Sequence, residues 1–120
     1  MNMTSKKSKF LNDVISTAVE VGCGYWAEVR EAPLSNPQRP QFRPDADKVG
    51  ETDAERLRWK TLFPEKLHEA ICKVLDGRAE ADGIAAQFIG YPHNTDKISY
   101  DAAGADAVVQ VALFGEVLYG

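Results

Sequence analysis

The placement of proline is the feature that most constrains how this chain can fold. Four of the six prolines lie within residues 33–50, whose sequence is PLSNPQRPQFRPDADKVG. Because proline fixes φ and lacks a backbone N–H donor, neither a helix nor a central strand is expected there. The segment is therefore predicted to be a long, partly extended surface loop. Long loops in compact domains are either functional or neutral insertions, and the sequence leaves both open.

Helical periodicity marks most of the remaining chain. Apolar residues recur every three or four positions in three segments, residues 9–21, 64–75 and 101–115. This spacing is typical of amphipathic helices, and Gly22 and Gly115 stand where glycine commonly ends a helix. A shorter helix is predicted within residues 79–90.

Two segments alternate with the period of a strand. In residues 23–31, Tyr25, Ala27 and Val29 alternate with Trp26, Glu28 and Arg30. Residues 55–62 alternate in the same way and are predicted to pair antiparallel with the first strand. Because alternate residues of a strand share a face, three cations are predicted to point outward in one row: Arg56, Arg58 and Lys60. Such a row either protects a sheet edge or forms a binding surface.

These elements predict an α+β fold with about four helices packed on a small two-stranded antiparallel hairpin. A chain of 120 residues supports one domain. We expect a disordered basic lead-in over residues 1–8 and a single domain over residues 9–120. The expected core comprises Leu11, Ile15, Trp26, Trp59, Leu67, Ile71, Val109 and Leu113.

Composition excludes several classes of protein. The formal net charge is -4 and the pI is about 5.1, which argues against broad binding to a phosphate backbone. No apolar stretch reaches the length of a membrane span, and no secretory signal peptide is recognisable. Cys23 and Cys72 are too few for a disulfide scaffold, so we expect two free thiols and a cytoplasmic location.

Motifs that carry catalysis are not found in the sequence. There is no P-loop, no dinucleotide fingerprint and no Gly-x-Ser-x-Gly elbow. His68 and Cys72 are four residues apart and share a helix face, but a zinc site needs three or four ligands. We therefore assign no catalytic residue, no metal ligand and no cofactor, and we expect a binding protein more than an enzyme.

The candidate binding residues are basic and aromatic. The proline-rich segment carries Arg39, Phe42 and Arg43, and the second strand carries the row of three cations. Tyr25, Trp26 and Trp59 could instead form the stacking walls of a pocket between the hairpin and the helices. The acidic groups are concentrated in the C-terminal half, where Asp106 is one of six over residues 76–106.

Both ends of the chain resemble small proteins of bacterial phages, plasmids and other mobile elements. The resembling motifs are DVISTAVE at residues 13–20 with GYWA at residues 24–27, and ADAVVQVALFGEVLYG at residues 105–120. The resemblance covers about the first and last thirds of the chain and the helix at 64–75. It supplies a context without an established activity, so it assigns a role to no residue.

In this context we expect a small non-catalytic protein that binds a host macromolecule, such as an inhibitor of a host defence system of the anti-CRISPR kind. One alternative is a small ligand-binding protein or enzyme with the aromatic pocket. Another is a direct nucleic-acid binder that uses the basic strand, which the negative net charge disfavours. The apolar C-terminal tail could also dock within the fold or across a homodimer interface.

Overall fold

The computed structural model describes residues 5–31, 39–79 and 83–120. Its elements are α1 (Ser5–Thr17), β1 (Ala27–Glu31), β2 (Pro40–Pro44), α2 (Ala46–Val49), β3 (Lys60–Thr61), α3 (Pro64–Leu75), α4 (Ile84–Gln87) and α5 (Ala102–Phe114). A π-helical turn follows α1 at Ala18–Gly22, and a 3-10 turn covers Thr95–Lys97. The α+β class is confirmed. Within the described residues, however, five α-helices and a three-stranded antiparallel sheet replace the expected four helices and hairpin.

The long helices follow the sequence signals that predict them. Asp101 caps α5, where its side chain accepts a hydrogen bond from the Gly104 N–H at 2.8 Å, and Gly115 ends the helix at φ 82°. Pro64 is the first residue of α3, where its missing N–H costs nothing. Helix α1 begins at Ser5, so residues 5–8 belong to it rather than to a disordered lead-in. Residues 1–4 lie outside the described residues.

The proline-rich segment contains the central strand of the sheet, which corrects the prediction of a loop without strand or helix. Strand β2 lies between β1 and β3 and pairs antiparallel with both. Its prolines are its first and last residues, Pro40 and Pro44, where a missing donor disrupts the ladder least. The Pro40 carbonyl still accepts from the Leu62 N–H at 2.9 Å. Helix α2 follows directly, and the part of the predicted loop at residues 33–38 lies outside the described residues.

The second predicted strand is also corrected. Only Lys60 and Thr61 form strand β3, which pairs with β2 and not with β1. Residues 54–58 form turns and a bend instead. Residues 55–58 therefore alternate in sequence without forming a strand.

The core lies between helices α1, α3 and α5 and the inner face of the sheet. Five of the eight expected core residues are buried there: Leu11, Trp26, Leu67, Ile71 and Val109. Ile15 and Leu113 pack against this cluster while remaining partly exposed. Trp59 is the exception, since it lies outside the core on the other face of the sheet.

Candidate functional site

One face of the three-stranded sheet carries polar and aromatic side chains and remains exposed. Strand alternation directs Ala27, Phe42 and Pro44 into the buried interior, so the residues between them face outward. This open face consists of Glu28, Arg30, Gln41, Arg43, Thr61 and Trp59, the last of which directly precedes β3. The side chains of Arg43 and Glu28 are 40% and 41% exposed. The open face is therefore available to a partner.

Two arginines contact the Trp59 ring on the open face. The Cζ atoms of Arg30 and Arg43 lie 4.2 Å and 4.4 Å from the centre of the ring. At these distances a guanidinium is attracted by the ring electrons. Because the stack restrains both side chains, two cations are held side by side before any partner arrives.

Hydrogen bonds across the strands orient the same arginines. Arg30 Nε donates to Gln41 Oε1 at 2.8 Å, and Arg43 Nε donates to Glu28 Oε2 at 2.6 Å. Gln41 in turn donates to Thr61 Oγ1 at 2.9 Å, which links all three strands. Within the described part of the chain, the hydrogen bonds of both guanidinium groups run through Nε. The Nη atoms carry four of the five donors of each arginine and are the groups that bind a carboxylate in a bidentate manner.

The predicted outward row of cations is wrong. Lys60 lies opposite the buried Phe42, and its Nζ donates to the carbonyl oxygens of Glu55, Arg56 and Arg58 at 2.8, 3.2 and 3.3 Å. Burial lowers the pKa of Lys60, and the carboxylate of Glu55 partly opposes this shift. The Lys60 ammonium therefore stabilises the turn that precedes β3, because it binds carbonyl groups that lack strand partners.

The other two cations of that row are paired with carboxylates in the same turn region. Arg56 Nη1 lies 3.5 Å from Glu51 Oε1, and Arg58 Nη1 lies 3.5 Å from Glu55 Oε2. Both pairs are exposed on the arginine side and contribute little to stability. Neither arginine lies on the open face.

The remaining predicted basic and aromatic residues are separated by the sheet. Phe42 is fully buried and belongs to the core instead of an exposed loop. Arg39 lies over the ring of Phe63 at 5.5 Å, beside the start of β2. Of the three candidate binding residues in the proline-rich segment, only Arg43 belongs to the open face.

The three aromatic residues predicted to line one pocket lie in different surroundings. Trp26 is fully buried and stacks on Tyr119, with ring centres 5.2 Å apart and planes 20° apart. Tyr25 is 49% exposed, but its hydroxyl donates inward to Asp106. Trp59 contacts the two arginines of the open face. A ligand therefore cannot reach Trp26 without displacing the C-terminal tail.

A buried carboxylate that the sequence did not reveal lies beneath this tail. Asp106 is 6% exposed, and its oxygens accept from four donors: Cys23 Sγ at 3.5 Å, the Tyr25 hydroxyl, Trp26 Nε1 at 2.7 Å and Gln110 Nε2 at 3.0 Å. Burial, with the carboxylate nearby, raises the pKa of both the Cys23 thiol and the Tyr25 phenol. Both groups therefore remain protonated and keep donating to Asp106.

The chain reaches Asp106 through a close approach at Gly22. A Cβ atom at Gly22 would lie 2.9 Å from the backbone oxygen of Ala102, so only glycine lets the π-helical turn touch α5. This contact brings the GYWA motif against the ADAVVQ motif. The two motifs, which lie far apart in the sequence, thus meet at one place in the fold.

The cysteine and histidine on α3 form a small cluster. Cys72 Sγ lies 3.9 Å from His68 Nε2, and His68 Nδ1 lies 2.6 Å from the Tyr91 hydroxyl. Burial raises the pKa of the Cys72 thiol and lowers that of His68, so both groups are neutral near pH 7. Among the described residues, no group of three or more potential ligands could hold a metal ion.

Comparison with protein-family models, curated proteins and solved structures finds no match to this chain. Among the described residues, no helix is long and apolar enough to cross a membrane. The function must therefore be argued from the geometry of the open face itself.

Proposed function

We propose that this chain is a non-catalytic binding protein whose open face takes an acidic segment of a protein partner. The contact of Arg30 and Arg43 with Trp59 carries this proposal. Two guanidinium groups restrained on a rigid sheet offer paired donors to carboxylates at little cost in side-chain entropy. Of the residues of the open face, two are cations and one, Glu28, is a carboxylate, on a chain of net charge -4.

The same contact disfavours a nucleic-acid partner. Proteins that bind single strands stack bases on exposed aromatic rings, but guanidinium groups already lie against the ring of Trp59. The negative net charge also opposes the contacts with many phosphates that such binding needs. The resemblance to small phage and plasmid proteins adds that the partner is a host protein, such as a component of a defence system.

Fluorescence anisotropy with a labelled peptide of twelve alternating aspartate and serine residues tests the proposal. We expect saturable binding that falls at least tenfold in the double variant R30E/R43E. The matched control is R56E/R58E, which makes the same change in net charge outside the open face and should bind like the wild type. A labelled oligothymidine of similar length should not bind at physiological salt.

Two results would overturn this assignment. If both double variants lose affinity equally, binding depends on overall charge and not on the open face. If the oligothymidine binds and the acidic peptide does not, the face recognises nucleic acid.

A further inference from the structure

The C-terminal tail, residues 116–120, packs into a defined site on the rest of the described protein, which is called the body. The centre of this site is the side chain of Gln110, which is fully buried. Gln110 Oε1 accepts from the backbone N–H groups of Leu118 and Tyr119, both at 2.9 Å. Gln110 Nε2 donates to the Tyr119 carbonyl at 2.8 Å. One carboxamide thus satisfies both kinds of backbone group, as a neighbouring strand would.

The same site selects an aromatic side chain next to that backbone. Tyr119 stacks on Trp26 and meets the edge of Phe114, with ring centres 6.0 Å apart. Its hydroxyl donates to Glu51. Gln110 therefore binds the main chain of the tail, and the rings of Trp26 and Phe114 bind its tyrosine side chain. Peptide-recognition sites combine these two kinds of contact.

The tail is joined to the body at a single exposed residue. Gly115 has φ 82°, and a side chain added there would meet open space. The contacts that hold the tail are made with residues of the body, namely Gln110, Trp26, Phe114, Glu51 and Tyr25, whose hydroxyl lies 2.8 Å from the Tyr119 carbonyl oxygen. They would be unchanged if the tail came from another molecule.

The groups that contact the tail, centred on Gln110 and Trp26, are called the seat. We infer that the seat is a peptide-recognition site that takes the tail of a second copy of the chain when its own tail is released. An empty seat would remove the three backbone partners of the Gln110 carboxamide and uncover the ring of Trp26, which favours an occupied seat. Its own tail has a high effective concentration, so the closed monomer is the major state of the wild type at micromolar concentration. A second copy supplies a tail of the same sequence, which fits the seat in the same way, and the exchange yields a dimer.

Two complementary variants of the full chain test the inference. Gln110→Leu damages the seat and leaves the tail intact, whereas Tyr119→Ala damages the tail and leaves the seat intact. Each alone should be a monomer of about 13.2 kDa by light scattering. An equimolar mixture should form a 1:1 complex of twice that mass, because the intact tail of one variant fits the intact seat of the other.

If the mixture stays monomeric while both variants keep the circular dichroism of the wild type, the inference is wrong and the tail only stabilises its own chain. A second measurement applies if either variant fails to fold. A labelled acetyl-Glu-Val-Leu-Tyr-Gly peptide should bind the wild-type chain saturably at concentrations up to about 10 mM, where it competes with the chain's own tail. A scrambled peptide is the control, and equal behaviour of the two peptides would contradict the inference.

Discussion

Asp106 is the residue on which the polar interior of the protein depends. Its carboxylate accepts hydrogen bonds from Cys23, Tyr25, Trp26 and Gln110, which come from the turn after α1 and from α5 itself. No described buried side-chain nitrogen or oxygen lacks a partner. The buried carboxyl group is therefore tolerated because four donors surround it.

Replacing Asp106 with asparagine should be strongly destabilising. The amide cannot accept from all four donors and brings two donors of its own, so buried groups lose their partners. We expect a loss of about 2–4 kcal/mol in the free energy of unfolding, measured with denaturant. The control is Asp96→Asn on the exposed surface, which should change stability by less than about 0.5 kcal/mol. A similarly small loss for Asp106→Asn would show that the network does not stabilise the fold.

The hydrogen bond between Tyr119 and Glu51 should make docking of the tail depend on pH. The Tyr119 hydroxyl is the main cause that lowers the pKa of Glu51, while burial and then this carboxylate raise the pKa of Tyr119 to about 12. A carboxyl whose pKa is lowered by folding stabilises the protein above its unfolded pKa and loses that contribution as pH falls through the folded pKa.

Tyr119→Phe keeps the stack on Trp26 and removes this hydrogen bond, which isolates its effect. Thermal melts at pH 7 should show the variant less stable than the wild type. The difference should shrink as pH falls below the ordinary range of glutamate, because Glu51 is then protonated in both proteins. A difference that stays constant from pH 7 to pH 3 would contradict this account.

At the scale of elements, helix α3 illustrates a feature that local sequence predicts well. Its apolar positions recur at helical spacing, and Leu67, Ala70, Ile71 and Val74 are all buried. Ile71 is fully buried, so Ile71→Ala should cost about 2–4 kcal/mol in denaturant unfolding. Lys73→Ala on the exposed side of the same helix should cost less than about 0.5 kcal/mol. Equal small effects would place α3 outside the core.

The C-terminal tail is the second element whose loss should be measurable. Deleting residues 116–120 uncovers Trp26 and leaves the Gln110 carboxamide without its backbone partners. We expect a loss of about 2–4 kcal/mol and a clear fall in melting temperature. An unchanged melting temperature would mean that the tail is frayed in solution.

Strand β2 shows where prediction from sequence fails. Helices α1, α3 and α5 are encoded by contacts three or four residues apart, so periodicity reveals them. The pairing of β2 with β1 and β3 depends on distant residues, and its prolines obscure it because only their position at the strand ends makes them acceptable. The turn before β3 is likewise fixed by Lys60 binding carbonyl groups, a contact with no periodic signal.

For the molecule as a whole, the open face contains some of the residues predicted to bind and lacks others. Arg43 and Trp59 were predicted to bind, but Arg30 was missed because its neighbours on the open face come from two other strands. Asp106 was predicted only to be one of six acidic residues concentrated over residues 76–106. A signal was present, since α5 is apolar except for Asp106 and Gln110, four residues apart. Two polar residues on one face of a buried helix predict a satisfied polar network.

The two tryptophans allow a direct test of the proposal that partners bind at the open face. The acidic dodecapeptide should be titrated into uniformly ¹⁵N-labelled protein while the indole N–H signals are followed by NMR. The Trp59 signal should move with saturation, because its ring touches both arginines. The Trp26 signal should stay fixed, because its Nε1 is buried against Asp106. Movement of Trp26 with Trp59 unchanged would contradict the claim and place binding elsewhere.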